Sequence, residues 1–329
     1  MTSHGYLFHG LNLTITGGAE VQAALGARLG QFPSGRLQGR PDLRFDFVKM
    51  TGSQPVVRPA GVGRPILEVG AGEVVYFDDL EQLYLDFPGC GRSLCDVRNR
   101  HATVWYSESA AADAWLLSHP FFTISLTELL KREGLFMVHA AGLAVGRKGL
   151  LLAGDSGSGK TTLTLMLVRA GFGFLADDTV FLSASVPGEI SRGLRVLAFP
   201  DEAGVTEQTA GFFAELQSLP GRPPPGGRNK KPLGVAQTYG VKPCWECEPA
   251  VLVFPQPSAS DQSVIAPMPA SEALMRLVCN VLRTEARSCQ AHLDALAALV
   301  RVSRCYSLQT GRDFDKLVSA LRSLVEREF

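Results

Sequence analysis

Apolar residues in this chain fall first into short runs and later into longer helical spacings. From residue 1 to about 133 the runs are short and punctuated by Gly17-Gly18, Gln54-Pro55 and Gly61-Val62-Gly63. Ala19 to Leu29 has helical spacing closed by Gly30. Leu43 to Met50, Pro65 to Val69, Glu73 to Phe77 and Thr103 to Tyr106 have strand composition. Ala110 to Leu117 and Phe121 to Lys131 predict helices interrupted at Pro120. The stretch predicts an α+β domain and carries no catalytic signature.

From about residue 134 to residue 329 the pattern predicts a second domain of α/β class. Phe136 to Val145 reads as one strand, Gly146-Arg147-Lys148-Gly149 as a turn, and Leu150 to Ala153 as a strand antiparallel to the first. A helical run from Thr162 to Arg169 ends at Gly171. Phe172 to Ala176 predicts a strand, followed by Asp177-Asp178 and an apolar stretch to Leu182. A turn at Pro187-Gly188 leads to a strand at Leu194 to Phe199, and Val251 to Phe254 predicts another strand. Ser271 to Leu282, Ala286 to Val302 and Phe314 to Arg327 predict helices. Pro220 to Pro232, rich in Pro and Gly, predicts a mobile surface loop.

Composition narrows the function classes. The chain has 329 residues, 46% of them hydrophobic, and 32 basic residues balance 32 acidic ones. This fits two folded domains and gives no global signal for nucleic acid or an anionic membrane surface. No apolar run reaches the roughly 18 residues of a membrane span. The start, MTSHGYLFHG, lacks the basic and apolar regions of a secretory leader, and the seven cysteines are an odd number. Both point to a reducing cytoplasm. Cys244-Trp245-Glu246-Cys247 and the pair Cys90 and Cys95 read as free thiols, and Cys279, Cys289 and Cys305 as core. His4, His9, His101, His119 and His292 form no ligand-spaced cluster.

The chemistry concentrates in three places. Gly154-Asp155-Ser156-Gly157-Ser158-Gly159-Lys160-Thr161 is a complete G-x-x-x-x-G-K-[ST] phosphate loop between an apolar strand and a helix. Its glycines let backbone N–H groups turn toward a polyphosphate, with Ser156 and Ser158 as spacers. Lys160 can reach the β- and γ-phosphates, the Thr161 hydroxyl can hold Mg²⁺, and Thr162 continues the nucleotide-binding segment. Asp177-Asp178, at the end of an apolar strand, can supply a metal partner and a proton acceptor. His139 lies in the strand that precedes the loop strand.

Taken together, Val138-His139-Ala140-Ala141-Gly142, Gly154 to Thr162 and Leu175-Ala176-Asp177-Asp178 resemble the catalytic domain of HPr kinase/phosphorylase and its wider family. The resemblance spans about residues 134 to 329. It implies a mixed-sheet P-loop domain like that of phosphoenolpyruvate carboxykinase, a serine-kinase mechanism, ATP and Mg²⁺ as cofactors, and an oligomer. It places ATP on Gly154 to Thr162 and puts Thr161 and one carboxylate of Asp177 and Asp178 on the metal. The other carboxylate takes the acceptor proton, the pair being open between the two roles with Asp177 favoured as the base and Asp178 on the metal, and His139 lies near the γ-phosphate. A basic residue, Arg228, Lys230 or Lys231, would approach the phosphates. The E-x-R-G-x-G signature of HPr kinases is replaced here by Glu189-Ile190-Ser191-Arg192-Gly193-Leu194. The acceptor therefore stays open among a peptide, a protein and a small molecule bearing a serine-type hydroxyl. The N-terminal domain is expected to serve substrate recognition. The competing reading is an ATP-binding regulatory module or an ATPase without an acceptor. The absence of N-K-x-D argues against a GTPase.

Overall fold

In the computed structural model, residues 1–35, 39–51, 58–183, 193–217, 230–279 and 281–327 are described. Among them no helix is long and apolar enough to cross a membrane, which says nothing of strands. The Pro187-Gly188 turn, Arg228, Gln54-Pro55 and the Glu189 to Arg192 part of the altered signature lie outside these residues. The chain forms two compact units. Met1–Glu133 joins with Leu282–Cys289, and Gly134–Val281 joins with Gln290–Phe329.

The first unit holds a nine-stranded mixed sheet. Its strands alternate buried and partly exposed positions, as in Leu11–Gly17 and Gly91–Asp96, the period-two pattern of a sheet with one buried face. Ala19–Leu29 is a helix ended at Gly30. The predicted interruption at Pro120 does not occur. A wide π-type helical turn runs from Leu117 to Ile124 through Pro120 and continues into Ser125–Leu130. Pro120 lacks an N–H, and a wider turn tolerates that loss. The Ser118 and Thr123 hydroxyls donate to Ala114 O and Ser118 O and tie this turn down.

A buried ionic knot closes this unit. Glu128 and Lys131 pair at 2.9 Å with side chains 0% exposed. Lys131 Nζ also donates to Leu282 O and Thr284 Oγ1. Glu128 further accepts from Arg132 Nη1 at 2.8 Å and from the Thr284 hydroxyl.

In the second unit, both faces of the central sheet are buried. Leu150 and Leu152 join one core with Leu163 and Leu167, while Leu151 and Ala153 join another with Leu175 and Leu296. This explains a continuous apolar run where a half-exposed strand would alternate. Each fully buried leucine contributes about 1.5–3 kcal/mol. Ala140–Val145 and Lys148–Ala153 form an antiparallel hairpin. Its turn is set by Gly146 at φ 58, in the left-handed region open to glycine. Lys148–Ala153 pairs in parallel with the long strand Glu246–Pro257, which also pairs in parallel with Arg304–Thr310. Helices Ala286–Val302 and Phe314–Glu326 follow the predicted spacing closely, whereas the helix predicted from Ser271 to Leu282 is Ala270–Val278 and ends four residues early.

Three expectations are corrected. Phe136 to Val145 is not one strand: Leu135–Val138 and Ala140–Val145 are separate, broken at His139. Of the predicted 220–232 loop, residues 220–229 lie outside the described residues, and the rest belongs to a strand, Lys230–Leu233, paired with Ala203–Thr206, with Pro232 tolerated because the two-stranded sheet has only edges. Cys279 is exposed and Cys289 half-buried rather than core, and only Cys305 of the three is buried; all seven cysteines are free.

Candidate active site

The break at His139 has a twin. Gly173–Ala176 pairs with Ala140–Val145, whereas Val180–Ser183 pairs with Leu135–Val138. Both chain segments therefore change partners at one level of the sheet, with Val138 opposite Val180 and Gly142 opposite Ala176. The residues left between the strands are His139 on one segment and Asp177, Asp178 and Thr179 on the other. Their meeting follows from the register. His139 Nδ1 lies 3.4 Å from Asp178 Oδ2.

The two carboxylates differ sharply. Asp177 is 6% exposed. Its Oδ2 accepts from Thr161 Oγ1 at 2.8 Å, and its Oδ1 is buried with no hydrogen-bond partner. Burial and the neighbouring Asp178 charge push its carboxyl up to about 6, against the Thr161 hydrogen bond and the Lys160 and Lys230 charges. The Asp178 side chain is 68% exposed. Crowding by protein works to raise it, but the His139 hydrogen bond and charge, then Lys160 and Lys230, outweigh this and hold it down at about 2.

The loop between strand and helix has the geometry of a backbone cradle. Gly154, Gly157 and Gly159 have φ of 148, 86 and 92, and helix Lys160–Arg169 starts at Gly159. A Cβ on Gly154 would come within 3.0 Å of Ser158 Oγ, which is itself buried and unpartnered. Asp155, Ser156 and Gly157 at the tip are exposed. Lys160 is buried, and its Nζ donates to Gly154 O at 2.5 Å and Asp155 O at 3.1 Å. Burial pulls its ammonium below the usual lysine range, against the Asp178 and Asp177 charges.

The unpartnered Asp177 oxygen beside the Thr161 hydroxyl fits a hard, oxygen-seeking cation. Among the described residues no group of three or more His, Cys, Asp or Glu could hold a metal, so this is not a complete protein cage. It suits Mg²⁺, which takes one or two carboxylates and completes its shell with water and phosphate oxygens.

Of the expected site residues, Lys160, Thr161, Asp177, Asp178 and His139 are brought together, and Lys230 acts on the same groups through its charge. Two residues were not signalled. Thr209 Oγ1 lies 2.9 Å from Thr162 Oγ1, and Thr206 caps the turn that carries Thr209. A hydroxyl pair 47 residues apart leaves no local pattern.

No described protein family's profile matches the chain. Over 81 residues the chain is 41% identical to HPr kinase/phosphorylase of Bordetella pertussis and 38% identical to that of Bordetella petrii. The stretch is 23% of this chain and 26% of each relative, so the match spans about a quarter of those proteins. The Hpr(Ser) kinase/phosphatase structure from Coxiella burnetii aligns with 57% of this chain and 88% of its own, at 12% identity and a TM-score of 0.32, too loose to bear on the fold. In sequence, this chain is a divergent relative of HPr kinase/phosphorylase.

Proposed function

We propose that the chain is an ATP-dependent kinase that transfers the γ-phosphate to a serine-type hydroxyl of a peptide, protein or small molecule. On this reading the catalytic residues lie in a P-loop domain of the phosphoenolpyruvate-carboxykinase-like kind, and the N-terminal unit serves acceptor recognition. The observation that carries the reading is the division of the acid pair. One carboxylate is buried against Thr161 with an oxygen to spare. The other is exposed and paired with His139. A nucleotide-binding module has use for the first alone.

The division supports the opposite choice of roles from the one favoured in sequence. Thr161 Oγ1 and Asp177 Oδ1 are the atoms to hold Mg²⁺, rather than Thr161 and Asp178. Asp178, on the open side, accepts the proton of the incoming hydroxyl, and His139 orients it. Bound Mg²⁺ supplies charge neutralisation on the β- and γ-phosphates. Lys160 exchanges its loop carbonyls for phosphate oxygens, and Lys230 adds a second positive charge. Phosphoryl transfer needs mainly alignment and charge compensation, so this small set is sufficient.

The test is transfer of labelled γ-phosphate from ATP in extract of the source cells, with proteins, peptides and small molecules resolved separately. A labelled species made by the wild type and lost with Lys160→Ala identifies the acceptor class. ATP binding without such a species in any fraction favours the regulatory module, and release of inorganic phosphate alone favours an ATPase.

A further inference from the structure

The first turn of helix Lys160–Arg169 has a second tether besides Asp177. Thr209 is 7% exposed and sits in a single short turn, Glu207–Ala210. Thr206 Oγ1 accepts the Thr209 N–H at 3.2 Å and donates its own proton to Thr209 Oγ1 at 3.1 Å. A hydroxyl has one proton and two lone pairs. Thr206 has therefore committed its proton to Thr209. Thr162 Oγ1 lies 2.9 Å from Thr209 Oγ1, and either hydroxyl can donate across that gap. With the Thr206 proton on one Thr209 lone pair, donation by Thr209 makes a single run from the Thr209 amide through Thr206 and Thr209 to Thr162, and leaves Thr162 its own proton to give.

We propose that Thr206 and Thr209 are positioning residues that commit the Thr162 hydroxyl to donate a hydrogen bond to a phosphate group of the bound nucleotide. The proposal rests on the nucleotide reading above. Phosphate oxygens only accept, so a hydroxyl that rotates freely presents a proton to them part of the time. A hydroxyl fed from behind presents it all of the time, and each upstream bond polarises the next. Thr162 is half-buried and adjoins the Gly159-Lys160-Thr161 end of the cradle. Thr206 is also the antiparallel strand partner of Lys230. The relay therefore ties the element carrying that charge to the nucleotide-binding helix.

The test is MgATP affinity of the full chain by calorimetry, for the wild type, Thr209→Val, Thr209→Ser, Thr162→Val and the Thr162→Val, Thr209→Val double variant. Thermal melts without nucleotide accompany each. Thr209→Val is expected to weaken binding about tenfold, as for one hydrogen bond to a charged group. Thr209→Ser restores the hydroxyl and is expected to stay near wild type. The double variant is expected to match Thr162→Val alone, because the relay then has nothing left to act on. Thr209→Ala carries the same expectation as Thr209→Val and replaces it should that variant not fold. Additive losses in the double variant, or wild-type affinity in Thr209→Val, overturn the proposal. An absence of MgATP binding by the wild type removes the nucleotide reading itself, and the relay's role with it.

Discussion

Two buried charged clusters in this protein are built on opposite plans. In the Glu128 knot every charge is matched: Lys131, Arg132 and Thr284 fill both carboxylate oxygens, and the Lys131 ammonium has three acceptors. Around the phosphate loop the matching is left unfinished. Asp177 keeps an unpartnered oxygen, Ser158 an unpartnered hydroxyl, and Lys160 is held by backbone carbonyls rather than by a carboxylate. Unmatched buried polar atoms cost stability. That the same fold satisfies every charge of the Glu128 knot supports the proposed reading of the phosphate-loop cluster as a binding site.

Breaking the matched cluster is expected to have the largest effect. Glu128→Ala strands the Lys131 ammonium and is expected to cost about 3–5 kcal/mol, read by denaturant unfolding. Activity per folded molecule should stay near wild type. A loss of transfer with unchanged stability would erase the contrast between the two clusters. Asp178→Asn comes next. It should lower phosphoryl transfer by roughly 10²–10³-fold while leaving the melting temperature and the Mg²⁺ concentration for half-maximal rate nearly unchanged. A shifted Mg²⁺ requirement would return Asp178 to the metal.

Asp177→Asn is expected to do the reverse. In Mg²⁺-free protein the Asp177 carboxyl is raised to about 6, so the folded chain holds that proton more tightly than the unfolded chain. Its stabilising contribution is full below the unfolded value near 3.8 and is lost as pH rises through about 6. Removing the charge should therefore stabilise the metal-free protein at pH 7–8 by on the order of 2 kcal/mol, a gain that fades below about pH 4. Transfer should fail at the same time. Melts across that range, with and without Mg²⁺ and ATP, check both halves. Lys230→Met should have the smallest effect, a loss of about tenfold in kcat/KM for ATP with little change in stability.

The unfinished cluster was the more legible of the two in sequence. Gly154 to Thr161 and Asp177-Asp178 are local patterns whose chemistry follows from residue type and spacing. Helices Ala19–Leu29 and Ala286–Val302 were readable for the same reason, with a regular apolar face in each and Gly30 closing the first. What escaped was long-range. The strand break at His139 is set by a change of partner, from Val180 opposite Val138 to Ala176 opposite Gly142, which no local window contains. Lys230–Leu233 read as loop because of its prolines, and became a strand because Ala203–Thr206 supplied an edge. The Glu128 knot depends on Thr284, 156 residues distant.

The grip of Lys160 on Gly154 O and Asp155 O makes binding at this loop an exchange reaction. An incoming anion gains the ammonium only by displacing two carbonyls that already hold it. A single weak charge recovers little beyond what those carbonyls surrender, whereas a chain of phosphates outbids them and also occupies the amide cradle. On the proposed reading the loop is thus a threshold device, nearly indifferent to single weak anions and responsive to polyphosphate.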